Sequence, residues 1–431
     1  MAQVDWPVTR GISASTPPRM SSRSALAELG STPRFVLLMA TFTLSAISVG
    51  AREATRVGII EEAFGSEFGI GAVAVTFALT LGVSCVVAGR IVDTHDPRPY
   101  LVGSLVASVV LTAASGFILG QGPTPVGWLI SSSALEAMIF GVATTSLIKV
   151  QASVVTPSTR GAAETVSILR SGVGAIAGTV IAGLISDDVV TLMLSSVLTF
   201  VSSVCCMAVV WSVQVPRSSG GMVKAKALIR GVRMLPPLRR TVTIDLLFAA
   251  VLPTQLIALI VSDTGTSELL TIALTASLAG VLAGRMLLVA TGLNGDLARR
   301  LRWAYLTYAA LAIACTPLLV NGWLLESTAL VASSLFIGSA LLAYSQNLPV
   351  ALLQQQVPDE FRGSLSGAMN ALRNLLIAVT ALGFTAVALV FNAVFIAAAL
   401  AVLLLIGFIV ARGFTGFGLA LASPPPTTQE L

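Results

Sequence analysis

The side chains of this sequence that could do chemistry are a few ionisable groups set inside long apolar runs. Glu136 lies about ten residues into one run, and Arg52 and Arg56 lie four residues apart in another, with Glu53 beside them. An ionisable group surrounded by hydrocarbon costs several kcal/mol unless it is paired or faces water. Each of these groups is therefore a candidate for binding a proton or a ligand.

Glu136 is the first candidate for a proton site. Burial disfavours a charged carboxylate, so a desolvated glutamate can take up a proton near neutral pH, as a coupling site requires. The alternative is a structural carboxyl group that hydrogen-bonds to a neighbouring helix. Arg52 and Arg56 share one helix face and could meet an anionic substrate group or gate an outer opening. Their alternative is a solvated interfacial cluster with Glu53.

Three further polar residues lie in the second half of the chain. Asp245 lies a few residues into its run, close to Arg239 and Arg240, so a local ion pair is favoured over a coupling role. Gln346 and Asn347 lie well inside another run, where amides hydrogen-bond a ligand or a neighbouring helix.

The other reactive residue types argue against several functions. The single histidine, His95, cannot support a histidine metal cluster, and the four cysteines lie in apolar runs without metal-like spacing. The cysteines are Cys85, Cys205, Cys206 and Cys315. We find no Ser-His, Cys-His, metal or phosphate-loop constellation. The sequence therefore predicts no enzyme activity, no metal site and no cofactor.

The composition indicates which elements hold these side chains. Only 10% of the 431 residues are charged and 55% are hydrophobic, which is too little charged surface for a soluble protein of this length. Apolar runs of about 20 residues, enough to cross a bilayer, number six before residue 216 and six after residue 240. Such spans are helical because lipid offers no partner to an unpaired backbone.

The predicted fold is therefore an all-α membrane protein with twelve transmembrane helices in two six-helix bundles. The first six spans begin near residue 35 and continue as 70–92, 100–120, 126–152, 165–185 and 189–213. The other six are 242–262, 269–290, 303–320, 328–353, 364–390 and 393–411.

The distribution of charge predicts the domain organisation and the topology. The halves 34–215 and 241–412 flank a basic hinge, 216–240, that carries seven cations and no acid. Segments 1–33 and 413–431 are predicted to be a disordered arm and a disordered tail. Placing both termini in the cytoplasm puts nearly all cations inside, as the positive-inside rule requires. The net charge of +5 thus reflects orientation in a lipid bilayer and not nucleic-acid binding.

Two loops repeat between the halves. TPSTRGAAETVSILRSGVG follows the fourth span and VPDEFRGSLSGAMNALRNLL follows the tenth. Matching residues are Pro157, Arg160, Gly161 and Arg170 in the first loop and Pro358, Arg362, Gly363 and Arg373 in the second. Such recurrence indicates a duplicated six-helix unit, the plan of many secondary transporters.

The loop GRIVDTHDPRP resembles the cytoplasmic signature of the major facilitator superfamily. It keeps Gly89, Asp93 and Arg98, while Thr94 and Asp96 replace the usual Arg and Gly. The resemblance implies a cytoplasmic gate in which Asp93 holds the start of span eleven, assisted by Arg160 or Arg362. The adjoining Gly161 and Gly363 belong to the same gate loops.

Two longer stretches resemble the bacterial drug and siderophore exporter branch that includes the enterobactin exporter. They are ALIRGVRMLPPLRRTVTIDLLFA and QNLPVALLQQQVPDEFRGSLSGAMNALRN. Proton antiporters of this family commonly carry an Arg in span four and a Pro in span five, where this chain has Ala137 and Thr179.

These features predict a monomeric transporter in a bacterial plasma membrane. It would export a small amphipathic organic molecule by alternating access, with protons coupled through Glu136. Import of an organic anion bound by Arg52 and Arg56 is one alternative. A membrane sensor that transports nothing is another.

Overall fold

The structure is a computed structural model that describes most of the first half of the chain and parts of the second. The described residues are 22–64, 67–122, 124–156, 159–185, 187–213, 215, 267–291, 329, 332–333, 335–341, 343–344, 367–379 and 382. Within these residues all regular structure is helical.

The described helices follow one another in the chain with short connections. They are α1 (Ser22–Gly30), α2 (Pro33–Phe64), α3 (Glu67–Thr94), α4 (Pro97–Leu119), α5 (Val126–Val154), α6 (Arg160–Leu184), α7 (Asp188–Trp211) and α8 (Ser267–Thr291). Residues 335–341 and 367–379 are also helical. In the described part of the chain, six helices, α2 to α7, contain stretches long and apolar enough to cross a membrane.

The helices α2 to α7 match the six spans predicted for the first half, and α8 matches the predicted span 269–290. Several helices are longer than the apolar spans within them. The 32 residues of α2 extend about 48 Å at 1.5 Å per residue, whereas the hydrocarbon core is about 30 Å thick. The polar end of α2 therefore continues beyond the membrane-length segment, which ends at Arg56.

The prediction of a disordered arm is wrong for residues 22–33. Ser22–Gly30 form α1, in which Ala25 and Leu29 are buried. These two residues are four apart and share one face. Leu29 packs with Phe35, Leu38 and other residues of one core cluster, so burial of a short apolar face offsets the entropy of ordering the segment.

Helix α2 packs closely against α6. A Cβ at Gly178 would overlap the carbonyl oxygen of Ile47, and one at Gly50 would overlap that of Ala175. Small residues let the two backbones approach to this distance, as is common between membrane helices.

Buried hydroxyl groups join α2 to α7. The Ser48 and Thr199 hydroxyls lie 2.6 Å apart, and the Ser202 hydroxyl donates to the carbonyl oxygen of Thr41 at 2.9 Å. These contacts satisfy polar groups inside the bundle. They also fix the face that α2 turns toward α7.

We call the end of the first bundle where α2 and α4 end and α5 and α7 begin the outer end, following the predicted topology. The opposite end is the inner end. At the outer end, Asp187 caps α7 by accepting from the backbone N–H groups of Val189 at 2.8 Å and Val190 at 3.1 Å. At the inner end, Asp96 caps α4.

The two halves meet through α3 and α6. Helix α3 packs against residues 367–379, where a Cβ at Gly82 would lie 3.1 Å from the carbonyl oxygen of Ala371. Helix α6 packs against α8, and Arg285 donates to the Ser171 hydroxyl at 3.1 Å. Both contacts cross the division between the predicted six-helix bundles.

Candidate functional site

Arg52, Arg56 and Glu136 meet in one buried cluster, which we call the charge cluster. Glu136 Oε1 pairs with Arg52 Nη2, and Glu136 Oε2 accepts from Arg56 Nη1 at 2.5 Å. The three side chains are only 10–11% exposed. The sequence predicted Glu136 and the arginine pair as separate candidates, and the structure joins them.

The lengths of the helices explain why these residues meet. Helices α2 and α5 run in opposite directions, with Arg52 twelve residues before the end of α2 and Glu136 ten residues after the start of α5. At 1.5 Å per residue these positions are about 18 Å and about 15 Å from the outer end. Arg56 is one turn further along the same face, so each carboxylate oxygen of Glu136 reaches one guanidinium.

Helix α4 supplies further partners to Arg52. Arg52 Nη1 donates to Ser108 Oγ at 3.1 Å and to Thr112 Oγ1 at 2.8 Å. Glu53 is different, because its side chain is 48% exposed and lies 3.6 Å from Arg56 Nη1. The buried part of the site thus holds two cations against one carboxylate, with Glu53 at its edge.

An open cavity adjoins the charge cluster. Its volume is about 40 Å³, within about 490 Å³ of empty space that includes the solvent at its mouth. The polar lining residues are Arg52, Arg56, Thr112, Ser115, Thr124, Ser132 and Glu136, and the apolar and aromatic ones are Ile59, Leu111, Leu119, Trp128, Leu129 and Leu192. Apolar walls with a few convergent polar groups are typical of small-molecule sites.

The described part of the cavity lies within the first half of the chain. The described lining comes from α2, α4, α5, α7 and the loop before α5, all in the first half. The charge cluster lies at this cavity because the polar face of α4 turns toward α2 and α5.

Asp93 lies at the inner end and is buried, with 7% of its surface exposed. Lys149 Nζ lies 3.7 Å from Asp93 Oδ1 and donates to the carbonyl oxygen of Val92 at 2.5 Å. Gly89, one turn earlier in α3, lies beside Gly367. A Cβ built at Gly367 would be 3.5 Å from the Cα of Gly89. The signature loop therefore lies next to the described helix of the predicted span eleven.

Arg98 contacts residues of the first half. Its Nη2 lies 2.6 Å from Asp96 Oδ2, and its Nη1 donates to the carbonyl oxygen of Val213 at 3.0 Å. These partners of Arg98 are in the first half, and they tie the start of α4 to the end of α7. Asp96, which replaces the family's usual glycine, supplies the counter-charge.

The remaining predicted residues are less informative. Arg160 and Gly161 begin α6. Asp245, Gln346, Asn347, Arg362 and Gly363 lie outside the described residues, as do the hinge 216–240 and the tail 413–431. Among the residues that the structure describes, no group of His, Cys, Asp or Glu could hold a metal ion.

Sequence reasoning missed several partners. Ser108, Thr112 and Ser115 recur at the i, i+4, i+7 spacing of one helix face, which could have indicated a polar face on α4. Lys149 carried no comparable signal, because its distance to Asp93 depends on how α3 and α5 pack. The Arg170 guanidinium lies over the Phe42 ring, with its Cζ atom 5.4 Å from the ring centroid. This contact was also not predicted.

Membrane-length helices, a buried charge cluster and an adjoining cavity define a helical membrane transport protein. The sequence profile of the Major Facilitator Superfamily matches residues 35–381. The chain belongs to this family, whose members are transporters of small molecules and not enzymes. Its fold is that of the family.

Solved structures support the same fold. The human organic anion transporter MFSD10 is similar at a TM-score of 0.64 and 11% identity, covering 88% of this chain and 99% of that one. The Escherichia coli fucose:proton symporter is similar at a TM-score of 0.62 and 14% identity, covering 88% of this chain and 98% of that one. A bacterial homologue of the iron transporter ferroportin, in an outward-facing state, is similar at a TM-score of 0.65 and 15% identity, covering 89% of this chain and 99% of that one. A search of curated protein sequences finds no significant match.

Proposed function

We propose that this protein is a proton-coupled secondary active transporter that moves a small amphipathic organic molecule across the membrane by alternating access. The observation that carries the proposal is the charge cluster, buried at membrane depth beside a cavity with apolar walls. Buried ionisable groups are expensive in lipid and are by default candidates for function. A role in binding and coupling accounts for its presence.

Coupling follows from the sharing of two guanidiniums by one carboxylate. Protonation of Glu136 cancels its charge, weakens both ion pairs and leaves two cations in a largely apolar site. The proton thereby switches the cavity between two charge states. Any substrate that prefers one of the states is coupled to the proton.

Export is the direction we propose, since two stretches of the chain resemble the exporter branch that includes the enterobactin exporter. Exchange of substrate for a proton requires the substrate to prefer the unprotonated state of Glu136. We further propose a bacterial plasma membrane as the location, both termini in the cytoplasm and a hinge at 216–240, because the basic residues gather on that side.

Import of an organic anion is the second candidate, and one observation favours it. Two buried guanidiniums face a single carboxylate, so protonation of Glu136 makes the site more attractive to an anion. Anion and proton would then bind together and move in the same direction. The organic anion transporter among the similar structures shares the fold and is consistent with this candidate.

The test begins by naming the substrate from metabolite profiles of a deletion strain and an overexpressing strain. Transport of that compound is then measured in proteoliposomes under an imposed proton gradient. Glu136→Gln should abolish gradient-driven transport while leaving exchange of labelled for unlabelled substrate. Glu28→Gln is the matched control, since Glu28 lies on α1 and accepts from Thr156 Oγ1. Gradient-driven transport that survives Glu136→Gln would remove Glu136 as the coupling residue.

A further inference from the structure

Four buried polar atoms at the cavity have no hydrogen-bond partner among the residues that the structure describes. They are Arg52 Nε, Arg56 Nη2, Trp128 Nε1 and Thr124 Oγ1, and all four belong to residues that line the cavity. Guanidinium and indole N–H groups can only donate. The site therefore offers several donors and lacks acceptors for them.

The charge cluster leaves these donors available. Glu136 occupies Nη2 of Arg52 and Nη1 of Arg56, and the hydroxyls of α4 occupy Nη1 of Arg52. Arg52 Nε and Arg56 Nη2 remain unpaired while every one of those contacts is kept, although each exposes less than 1 Å². A ligand that reaches them needs a small opening of the cavity but no loss of the ion pairs.

We propose that these donors bind the anionic group of a small amphipathic molecule, a carboxylate, sulfonate or phosphate. Such a group supplies several acceptor lone pairs and a negative charge to a site with an excess of positive charge. The apolar body would pack against the walls formed by Leu119, Leu129 and Leu192 and against the Trp128 ring. The inference rests on the second candidate of the proposed function, anion import, only in taking this molecule to be the transported substrate, and a free inorganic anion is the other source.

Binding of radiolabelled benzoate to the purified full-length protein in detergent, measured by scintillation proximity, tests the inference. We expect saturable binding that unlabelled benzoate displaces at least about tenfold more effectively than benzamide, which has the same ring without the charge. Absence of saturable binding, or equal displacement by benzamide, would overturn the inference and mean that these donors only bind water.

Two conservative variants locate the binding site. Trp128→Phe keeps an aromatic ring and removes the indole N–H, and Arg56→Lys keeps the charge and removes the planar fork of donors. Each should weaken benzoate binding about tenfold, the usual effect of losing one hydrogen bond to a charged group. Trp211→Phe, at the inner end of α7 and 55% exposed, is the matched control and should leave binding unchanged.

Gel filtration shows whether the variants remain monodisperse. If they do not, the comparison of benzoate with benzamide in the unaltered protein decides whether the site binds an anionic group. Folded variants that both bind benzoate within twofold of the unaltered protein would also overturn the inference.

Competition by sodium sulfate, phosphate and chloride separates the two sources of the anionic group. Displacement by benzoate at far lower concentration than by the inorganic salts assigns the site to an organic substrate. Equal displacement keeps the site and assigns it to a free inorganic anion. Loss of binding with intact Glu136-dependent transport would refute this inference alone, whereas binding without transport would refute the proposed function alone.

Discussion

At the scale of single residues, Glu136 cannot be replaced without leaving buried cations behind. It is the counter-charge of both Arg52 and Arg56, and the removal of one member of a buried ion pair costs much more than the pair contributes as a whole. The same property suits it to coupling, because a single proton changes the charge balance of all three side chains.

We expect Arg52→Gln to destabilise the protein more than Arg56→Gln does. Arg52 also donates to Ser108 and Thr112 on α4, so its loss leaves two more groups to find new partners. Breaking a buried pair costs about 3–5 kcal/mol, and each lost hydrogen bond adds about 1 kcal/mol. Thermal unfolding of the purified variants in detergent measures the order. Equal or reversed stabilities would show that the α4 contacts of Arg52 contribute little.

At the scale of helices, the contact between α2 and α6 sets the position of the arginines. Gly50 and Gly178 bring the two backbones together, and hydroxyls hold the neighbouring face of α2 against α7. Between these two contacts α2 has little freedom to rotate about its axis. The face that carries Arg52 and Arg56 is therefore directed toward α4 and α5.

Gly178→Ala should destabilise the protein by about 1–3 kcal/mol, the usual cost of an extra methyl group in a packed interior. The added Cβ would overlap the carbonyl oxygen of Ile47. Gly103→Ala is the matched control on α4, where a Cβ meets no atom within 4 Å. It should be neutral or slightly stabilising, since Gly costs about 1 kcal/mol relative to Ala in a helix. Equal unfolding temperatures for the two variants would contradict the close α2–α6 packing.

At the scale of the whole molecule, the two halves contact each other along α3 and residues 367–379. Gly367 lies against Cys85 and Gly89, Gly82 against Ala371, and Val75 and Ala78 against Ala378. This series of contacts runs from Val75 to Gly89, about half of the length of α3. Alternating access requires the halves to rock about such a contact.

A disulfide across this contact should stop transport. A Cβ built at Gly82 lies 3.5 Å from the Cα of Ala371, which is within reach of a disulfide. The double variant Gly82→Cys/Ala371→Cys should cross-link on mild oxidation, lose transport and regain it on reduction. Each single-cysteine variant, oxidised in the same way, controls for the cysteines already present. Full transport by the cross-linked protein would show that α3 and residues 367–379 stay together throughout the cycle.

The charge of the substrate should fix the direction of transport. An anion prefers the state in which Glu136 is protonated, so it moves with the proton and is imported under an inward proton gradient. A neutral or cationic molecule that prefers the unprotonated state would exchange for the proton and be exported. Metabolite profiles decide between these cases. Accumulation of an anionic compound in the medium of the overexpressing strain would contradict this link between charge and direction.

Much of the fold could be predicted because the relevant signals are properties of single segments. The length of an apolar run fixes whether it can span the bilayer, and the predicted spans lie close to α2–α7 and α8. The repeated loops and the signature around Asp93 are likewise read along the chain. They placed the sequence in its family, which the match over residues 35–381 confirms.

The chain alone determined that Arg52, Arg56 and Glu136 lie in membrane-length helices, but only the tertiary structure decided that they meet. A helix turns about 100° per residue, so a small rotation directs a side chain toward lipid, a neighbouring helix or a cavity. Rotation is set by contacts between distant segments, such as Gly178 against Ile47. For the same reason the sequence did not predict the buried face of α1 or a cavity inside the first half.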